Sequence, residues 1–196
     1  MIYDQDYFDF QTSRRSWLRQ IVRNRFLRSA TALTRGKTVD FGCGTGELLK
    51  RLPVGSVGVE VNPQCVKFLQ ETGYDCRLCK PEEDDFRLLM LSPEDELQTL
   101  ICSHVLEHLA DPGYALARLG EACGRLGIRR MVFIVPDMAG FKSHFAHVTY
   151  CNEETFSETD ISGFTLVKMR HFPFRFRVFQ DHFVGNELQV VYEART

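Results

Sequence analysis

The sequence has no long apolar segment and no large excess of charge of one sign. No segment of its 196 residues is apolar for the length needed to span a bilayer, and the opening MIYDQDYFDFQT lacks the apolar centre of a signal peptide. The formal net charge is only -2, which does not favour nucleic acid as a partner. We therefore expect a cytoplasmic protein that binds no membrane.

Cysteine usage also excludes a disulfide framework. The seven cysteines are odd in number and scattered through apparent strands and helices, as expected of reduced thiols. Internal repeats, low-complexity tracts and linkers are lacking, and 44% hydrophobic residues suffice for one core. We predict a single domain over residues 1–196, with an N-terminal helical cap at 1–36 and a core at 37–196.

Strand-like and helix-like segments alternate along the core. Five short apolar segments have the pattern of strands: KTVDF, SVGVEV, YDCRLC, TLICS and RMVFIV. Helical patterns lie between them, including GELLKRL and the segment NPQCVKFLQETG with Asn62 as N-cap, and two more strands follow, FTLVKMRHF and ELQVVYEA. This alternation predicts an α/β fold, a mostly parallel sheet with helices on both faces.

The segment VDFGCGTGELLKRL, residues 39–52, leads from a strand into a glycine-rich turn. Such a turn at the C-terminal end of a parallel strand lets backbone N–H groups approach a ligand. The dinucleotide fingerprint lacks its third glycine because Glu47 stands there, and no Gly-Lys-Ser/Thr follows, as a P-loop requires. Glu60 lies 20 residues after Asp40, at the tip of the second strand, where a carboxylate accepts hydrogen bonds from ribose hydroxyls. The two features together predict a nucleoside ligand.

Three segments resemble the class I S-adenosylmethionine-dependent methyltransferases: VDFGCGTG (39–46), GVEVNP (58–63) and ICSHVLEHLADP (101–112). The last is similar to the vLEHl-dP segment of small bacterial members. The resemblance implies a Rossmann-like, seven-stranded, mostly parallel sheet with an antiparallel final strand. It also implies S-adenosyl-L-methionine as cofactor and S-adenosyl-L-homocysteine as product. The cofactor-binding residues that it implies are Asp40, Gly42, Cys43, Gly44, Gly46, Glu60, Val61, Asn62, Ser103 and His104.

Methyl transfer to oxygen or nitrogen requires alignment of donor and acceptor and the removal of a proton. The candidate catalytic residues are His104 after the fourth strand and His144 and His147 in the loop after the fifth. Glu107 and His108 belong to a segment shared by related proteins of varied activity, so packing explains them more readily than catalysis.

A metal site is the sharper alternative for these side chains. Small-RNA 2′-O-methyltransferases are similar in having Glu-x-x-Glu-His and a later histidine that bind a divalent metal. Here His104 replaces the first acid and removes one hard oxygen ligand. The sequence therefore predicts no metal.

The acceptor is the least determined part of the function. We predict methylation of an oxygen or nitrogen of a small metabolite, so the partner is a small-molecule acceptor and nucleic acid is not favoured. The alternatives are an RNA or protein acceptor and a non-catalytic domain that binds the cofactor as a sensor.

Overall fold

A computed structural model describes residues 17–195 of the chain. Helix α1 (Trp17–Thr31) falls in the predicted cap, of which residues 1–16 lie outside the described part. The extent of the single domain stays a prediction. No helix within the described residues is long and apolar enough to cross a membrane.

Seven strands within residues 17–195 form one sheet in the order β3-β2-β1-β4-β5-β7-β6. Neighbours among β1 to β5 run parallel, whereas β7 runs antiparallel to both β5 and β6. The predicted fold class is thereby confirmed. The strands are β1 (Thr38–Phe41), β2 (Val57–Glu60), β3 (Cys76–Leu78), β4 (Thr99–Ser103), β5 (Arg130–Pro136), β6 (Phe164–Phe172) and β7 (Glu187–Ala194).

Helices follow most of the parallel strands. The second one begins as predicted, because the Asn62 side chain accepts a hydrogen bond from the Gln64 backbone N–H at 2.9 Å and Pro63 fills the first turn. The helices after α1 are α2 (Pro63–Glu71), α3 (Pro81–Asp84), α4 (Pro112–Leu126), α5 (Met138–Lys142), α6 (Glu153–Glu158) and α7 (Arg177–His182).

The segment after β1 differs from the prediction. GELLKRL was expected to be a helix, but it forms a single 3-10 turn, Leu49–Arg51. Pro53 disfavours helical backbone at the residue before it, and Leu52 is accordingly extended, with φ -79° and ψ 161°. The glycine loop is therefore followed by a short turn and not by a full helix.

Alternate residues of the central strands pack on opposite faces of the sheet. On one face, Phe133 of β5 packs in the cluster that contains Leu116 and Leu119 of α4. On the other face, Ile134 packs in the cluster that contains Leu27 of α1. Because α1 lies on this second face, it comes to lie beside the glycine loop.

Candidate active site

The glycine loop after β1 has a backbone that favours glycine. Gly42, Gly44 and Gly46 have φ values of 76°, 54° and 77°, in the left-handed region. The Gly42 N–H donates to the Val59 carbonyl at 2.8 Å, and a Cβ on Gly42 would lie 2.4 Å from Cγ2 of Val105. The loop is thus held between β2 and the segment after β4, with its backbone facing a cavity.

Glu60 links this loop to the end of β2. Its Oε2 accepts a hydrogen bond from the Gly44 N–H at 2.7 Å, and its Oε1 accepts two, from the N–H groups of Val61 and Asn62, at 2.9 Å each. A carboxylate oxygen can accept two bonds, so Oε2 retains capacity for one more donor. The role in binding ribose stays a prediction, and the structure adds a second role, bracing of the glycine loop.

A cavity lies where β1 and β4 end. Six of the predicted cofactor-binding residues line it: Asp40, Gly42, Cys43, Gly44, Ser103 and His104. The other four, Gly46, Glu60, Val61 and Asn62, do not. Helix α1 and β7 contribute residues to its wall that the sequence analysis did not identify, namely Arg23, Phe26, Leu27, Ala30 and Glu187.

Asp40 lies in the cavity wall and is 2% exposed. Its Oδ2 has no hydrogen-bond partner among residues 17–195. Burial, followed by the neighbouring Glu60 carboxylate, raises the pKa of Asp40 to about 7, although a hydrogen bond from the Leu49 backbone opposes the change. A buried carboxylate oxygen without a partner suits a cationic ligand group, and the adjoining glycine loop leaves room for backbone contacts. Both features fit the amino-acid end of the predicted cofactor.

His104 lies between two carboxylates at the cavity. Its Nδ1 is 3.3 Å from Oε1 of Glu107, and its Nε2 is 3.4 Å from Oε2 of Glu187. Its φ of 57° is unusual for a residue with a Cβ and is of the kind that clusters at functional sites. Burial disfavours the charged ring, but the two carboxylates outweigh this effect and raise the pKa of His104 to about 9. In this arrangement His104 is an imidazolium at neutral pH and has no lone pair with which to accept a proton.

His144 and His147 do not line the cavity. They lie in the loop after β5 and gather beside Glu107 and His108, where the rings of His108 and His147 have centroids 5.0 Å apart. The Glu107 carbonyl accepts hydrogen bonds from the N–H groups of Val148 at 2.8 Å and Thr149 at 3.1 Å, which fixes the loop.

Glu107 and His108, for which the sequence analysis favoured a packing role, thus form part of a polar cluster. Ligand atoms of Glu107, His108 and His147 all lie within 4.8 Å of one another. Burial tends to raise the pKa of Glu107, but the adjacent His104 outweighs it and lowers that pKa. The Glu107 carboxylate is therefore ionised at neutral pH.

Comparisons with known proteins agree with this architecture. The family model described as a methyltransferase domain matches residues 10–169. A SAM-dependent methyltransferase from Archaeoglobus fulgidus is 19% identical, with a TM-score of 0.68, over 97% of this chain and 100% of that one. Magnesium protoporphyrin IX methyltransferase from Synechocystis PCC 6803 is 14% identical, with a TM-score of 0.62, over 97% and 95%.

A third similar structure is the small RNA methyltransferase HEN1, 15% identical with a TM-score of 0.60 over 94% of this chain and 27% of that one. At these identities the likeness shows a common fold. No curated protein matches the chain. The family match covers most of the sequence, so the chain belongs to the methyltransferase domain family, which confirms the prediction of a class I S-adenosylmethionine-dependent methyltransferase.

Proposed function

We propose that this methyltransferase transfers the methyl group of S-adenosyl-L-methionine to an oxygen or nitrogen atom of a small metabolite. The cavity between the glycine loop, Asp40 and His104 carries this proposal. When bound there, the cofactor supplies a methyl group that is already activated by a cationic sulfur. The chain must then hold the donor and acceptor in line in a site with little water.

Each group of predicted residues is assigned one part of the cofactor. The unpartnered Oδ2 of Asp40 would accept a hydrogen bond from the cofactor's ammonium group, beside the backbone of Gly42 and Gly44. Outside the cavity, at the end of β2, Glu60 would offer its remaining acceptor capacity to the ribose, and Val61 and Asn62 would flank the adenine. Ser103 and His104 border the sulfonium side of the cavity.

The wall contributed by α1 supports a small acceptor. Phe26 and Leu27 face the cavity beside Ile134 of β5, so part of the lining is apolar. Arg23, also in the wall, donates to the Glu47 carboxylate at 2.7 Å and is thereby held at the cavity. The wall therefore combines apolar side chains with charged ones, and its apolar part supports the proposal of a small-molecule acceptor.

His144 and His147 remain the proposed groups that accept a proton on the acceptor side, whereas His104, as an imidazolium, can only donate one. His104 lines the cavity, and His144 and His147 lie beyond Glu107 in the loop after β5. His104 contacts Glu107 through Nδ1, and His147 approaches the same carboxylate through Nε2 at 3.9 Å. A polar path therefore connects the loop histidines with the cavity.

The test is a transfer screen with cofactor labelled in its methyl group, run over metabolite, RNA and protein pools. Label in the small-molecule fraction is expected, and it should disappear with Asp40→Ala. Label in the RNA or protein fraction would show that the acceptor is a macromolecule of that kind and would overturn the proposal of a small metabolite. Cofactor binding without transfer to any pool would overturn the catalytic proposal in favour of a sensor.

A further inference from the structure

We propose that Glu187 takes the proton from a hydroxyl group of the acceptor during methyl transfer, an inference that rests on the proposed function. Glu187 is the first residue of β7, is 5% exposed and lies in the cavity wall. It pairs across the sheet with Pro136, the last residue of β5. The carboxylate therefore lies at the edge of the sheet where the parallel strands end and where the cavity opens.

The order of the strands separates Glu187 from Asp40. Both residues line the cavity, on β7 and β1, and β4 and β5 lie between these two strands. Neighbouring strands are about 4.8 Å apart, so three steps across the sheet correspond to about 14 Å. Ser103 and His104, at the end of β4, lie between the two carboxylates. With the cofactor's ammonium group at Asp40 and its sulfonium beside Ser103 and His104, the acceptor lies on the side of Glu187.

Hydrogen bonds orient the Glu187 carboxylate. Gln189, fully buried two residues further along β7, donates from Nε2 to Oε1 of Glu187 at 2.7 Å. The Arg170 guanidinium can only donate, and its Nη2 and Nε bind Oε1 of Gln189 at 2.8 Å and 3.0 Å, which turns the amide N–H group towards Glu187. Oε1 of Glu187 is thereby held by Gln189. Oε2, which lies 3.4 Å from Nε2 of His104, is the oxygen nearer the sulfonium side of the cavity.

The histidines at the site are less suited to this first proton transfer. His104 lines the cavity, but it is an imidazolium and can only donate a proton. His144 and His147 lie outside the cavity wall. These two loop histidines can therefore receive the proton only after another group has removed it from the acceptor.

Two further carboxylates in the described part of the cavity wall have other partners. Glu47 accepts a hydrogen bond from Arg23 at 2.7 Å, and Asp40 is assigned to the cofactor's ammonium group. Glu187 is the buried carboxylate that remains for the acceptor side.

Proton removal by Glu187 accompanies the formation of the new bond. A lone pair of the hydroxyl oxygen bonds to the methyl carbon, while the carbon–sulfur bond breaks and its electron pair stays on sulfur. The hydroxyl proton passes to Oε2 of Glu187, which becomes a neutral carboxyl group and releases the proton to water when the products leave. An amine acceptor needs no such group, because an ammonium product is a weaker acid than a carboxyl group. A carboxylate at this position therefore favours oxygen as the methylated atom.

The inference is tested with methyl-labelled S-adenosyl-L-methionine and the metabolite fraction that takes up the label. Glu187→Gln keeps the shape of the side chain and should slow transfer by about 10²–10⁴-fold, the usual contribution of a general base. Its affinity for S-adenosylhomocysteine, measured by calorimetry, should be unchanged, which also shows that the variant is folded. Glu187→Asp retains a carboxylate and should recover part of the rate.

The pH profile separates proton removal from a structural role. At saturating cofactor, the wild-type rate should fall towards low pH, where the carboxylate is protonated, and Glu187→Gln should lack this fall. The element opposite Glu187 in β5 contributes Pro136, which has no charge. The charged groups that face it from the other elements are His104 after β4, Arg170 of β6 beyond Gln189, and, in the cavity wall, Arg23, Asp40 and Glu47.

Two further variants serve as controls. Glu158→Gln makes the same chemical change at an exposed position of α6 and should leave transfer and nucleoside binding as in wild type. His104→Asn removes the nearest charged group, and asparagine tolerates the φ of 57° at that position. Glu187→Gln should still slow transfer when it is combined with His104→Asn.

Four results would overturn the inference: transfer by Glu187→Gln at the wild-type rate, a fall at low pH that persists in this variant, a methyl group on nitrogen in the product, or a loss that vanishes in the His104→Asn background. The last result would mean that the carboxylate acts only through the ring of His104. Failure of wild-type protein to transfer label to any metabolite would overturn the proposed function instead.

Discussion

Glu60 and Gly44 are joined by a 2.7 Å hydrogen bond, in which the Gly44 N–H donates to the Glu60 carboxylate. The bond connects the end of β2 with the loop after β1, so the residue predicted to hold the ribose also shapes the loop that receives the rest of the cofactor. Because the contact with the loop and the predicted contact with the ribose use one carboxylate, we expect a change at Glu60 to affect both.

We therefore expect Glu60→Ala to weaken S-adenosylhomocysteine binding by about 1 to 3 kcal/mol, the usual cost of losing hydrogen bonds to a charged group. Calorimetry measures the affinity. Glu71→Ala is the control, because Glu71 is exposed on α2 and its Lys67 contact, at 3.8 Å, is a surface ion pair. Equal affinities of the Glu60 variant and wild type would remove Glu60 from the site.

Asp40 predicts how stability changes with pH. Its pKa of about 7 in the folded protein exceeds the ordinary 3.8, so the folded state holds a proton that the unfolded chain releases. The contribution of the protonated carboxyl group is complete below pH 3.8 and is lost as the pH rises through 7. Urea unfolding should show a falling stability over this range in wild type and a flatter profile in Asp40→Asn. If the free energy of unfolding varies with pH equally in wild type and in Asp40→Asn, the raised pKa does not belong to Asp40.

The same carboxyl group predicts how cofactor affinity changes with pH. A cationic ammonium group next to Asp40 favours its ionised form, so binding expels a proton below about pH 7. S-adenosylhomocysteine affinity should therefore rise between about pH 6 and pH 8 in wild type, and the rise should be smaller in Asp40→Asn. Calorimetry in buffers with different ionisation enthalpies counts the protons. Proton release that persists in the variant would assign it to another group.

Gly42 and Val105 predict a measurable coupling. A Cβ on Gly42 would meet Cγ2 of Val105 at 2.4 Å, and φ is 76°, so Gly42→Ala should destabilise the protein by about 1–3 kcal/mol through overpacking and by about 1–2 kcal/mol through backbone strain. Val105→Ala relieves the first effect only. In a double-mutant cycle by urea unfolding, Gly42→Ala should cost less in the Val105→Ala background. If the losses of unfolding free energy in the two single variants simply add in the double variant, the loop has moved and the added methyl group does not meet Val105.

His171 predicts a second pH dependence, away from the cavity. Its Nδ1 lies 2.9 Å from Oδ1 of buried Asp137, and this interaction raises the pKa of His171 although burial opposes it. Its folded pKa lies above the ordinary 6.5, so the pair stabilises fully below 6.5 and the stabilisation is lost as the pH rises through the folded value.

His171→Gln should therefore lower the free energy of unfolding more below pH 6.5, the ordinary pKa, than at a pH above the raised pKa of the folded state. Urea unfolding at both pH values measures the difference. His182→Gln is the control, because that histidine is exposed. If the loss of unfolding free energy in His171→Gln does not vary with pH, the His171 ring is not charged in its contact with Asp137.

Much of the fold follows from local signals in the sequence. The strands TLICS, FTLVKMRHF and ELQVVYEA have the observed bounds, and Asn62 with Pro63 marks the start of α2. The segment GELLKRL has the leucine spacing of a helix, but Pro53 and the glycines limit it to one 3-10 turn. The leucine spacing alone therefore predicts a helix, because it does not include the helix-breaking effect of the proline and the glycines.

The wall of the site was less predictable. Glu187 faces His104 because β7 inserts next to β5, a consequence of sheet order that no short motif encodes. The meeting of Glu107 with His147 likewise depends on the path of the loop after β5, about 40 residues away in the sequence. Motifs predicted the residues assigned to the cofactor because each group of them, at 40–46, 60–62 and 103–104, is compact in the sequence.

The position of β7 between β5 and β6 has a consequence for synthesis on the ribosome. Until residues 187–194 have left the exit tunnel, β6 has no neighbour through which to join the sheet, and His104 lacks its contact with Glu187. The nascent chain therefore carries an open edge at β5, ready to pair with other strands. Pairing of β7 with β5 closes that edge and brings Glu187 into the wall of the cavity at the same time.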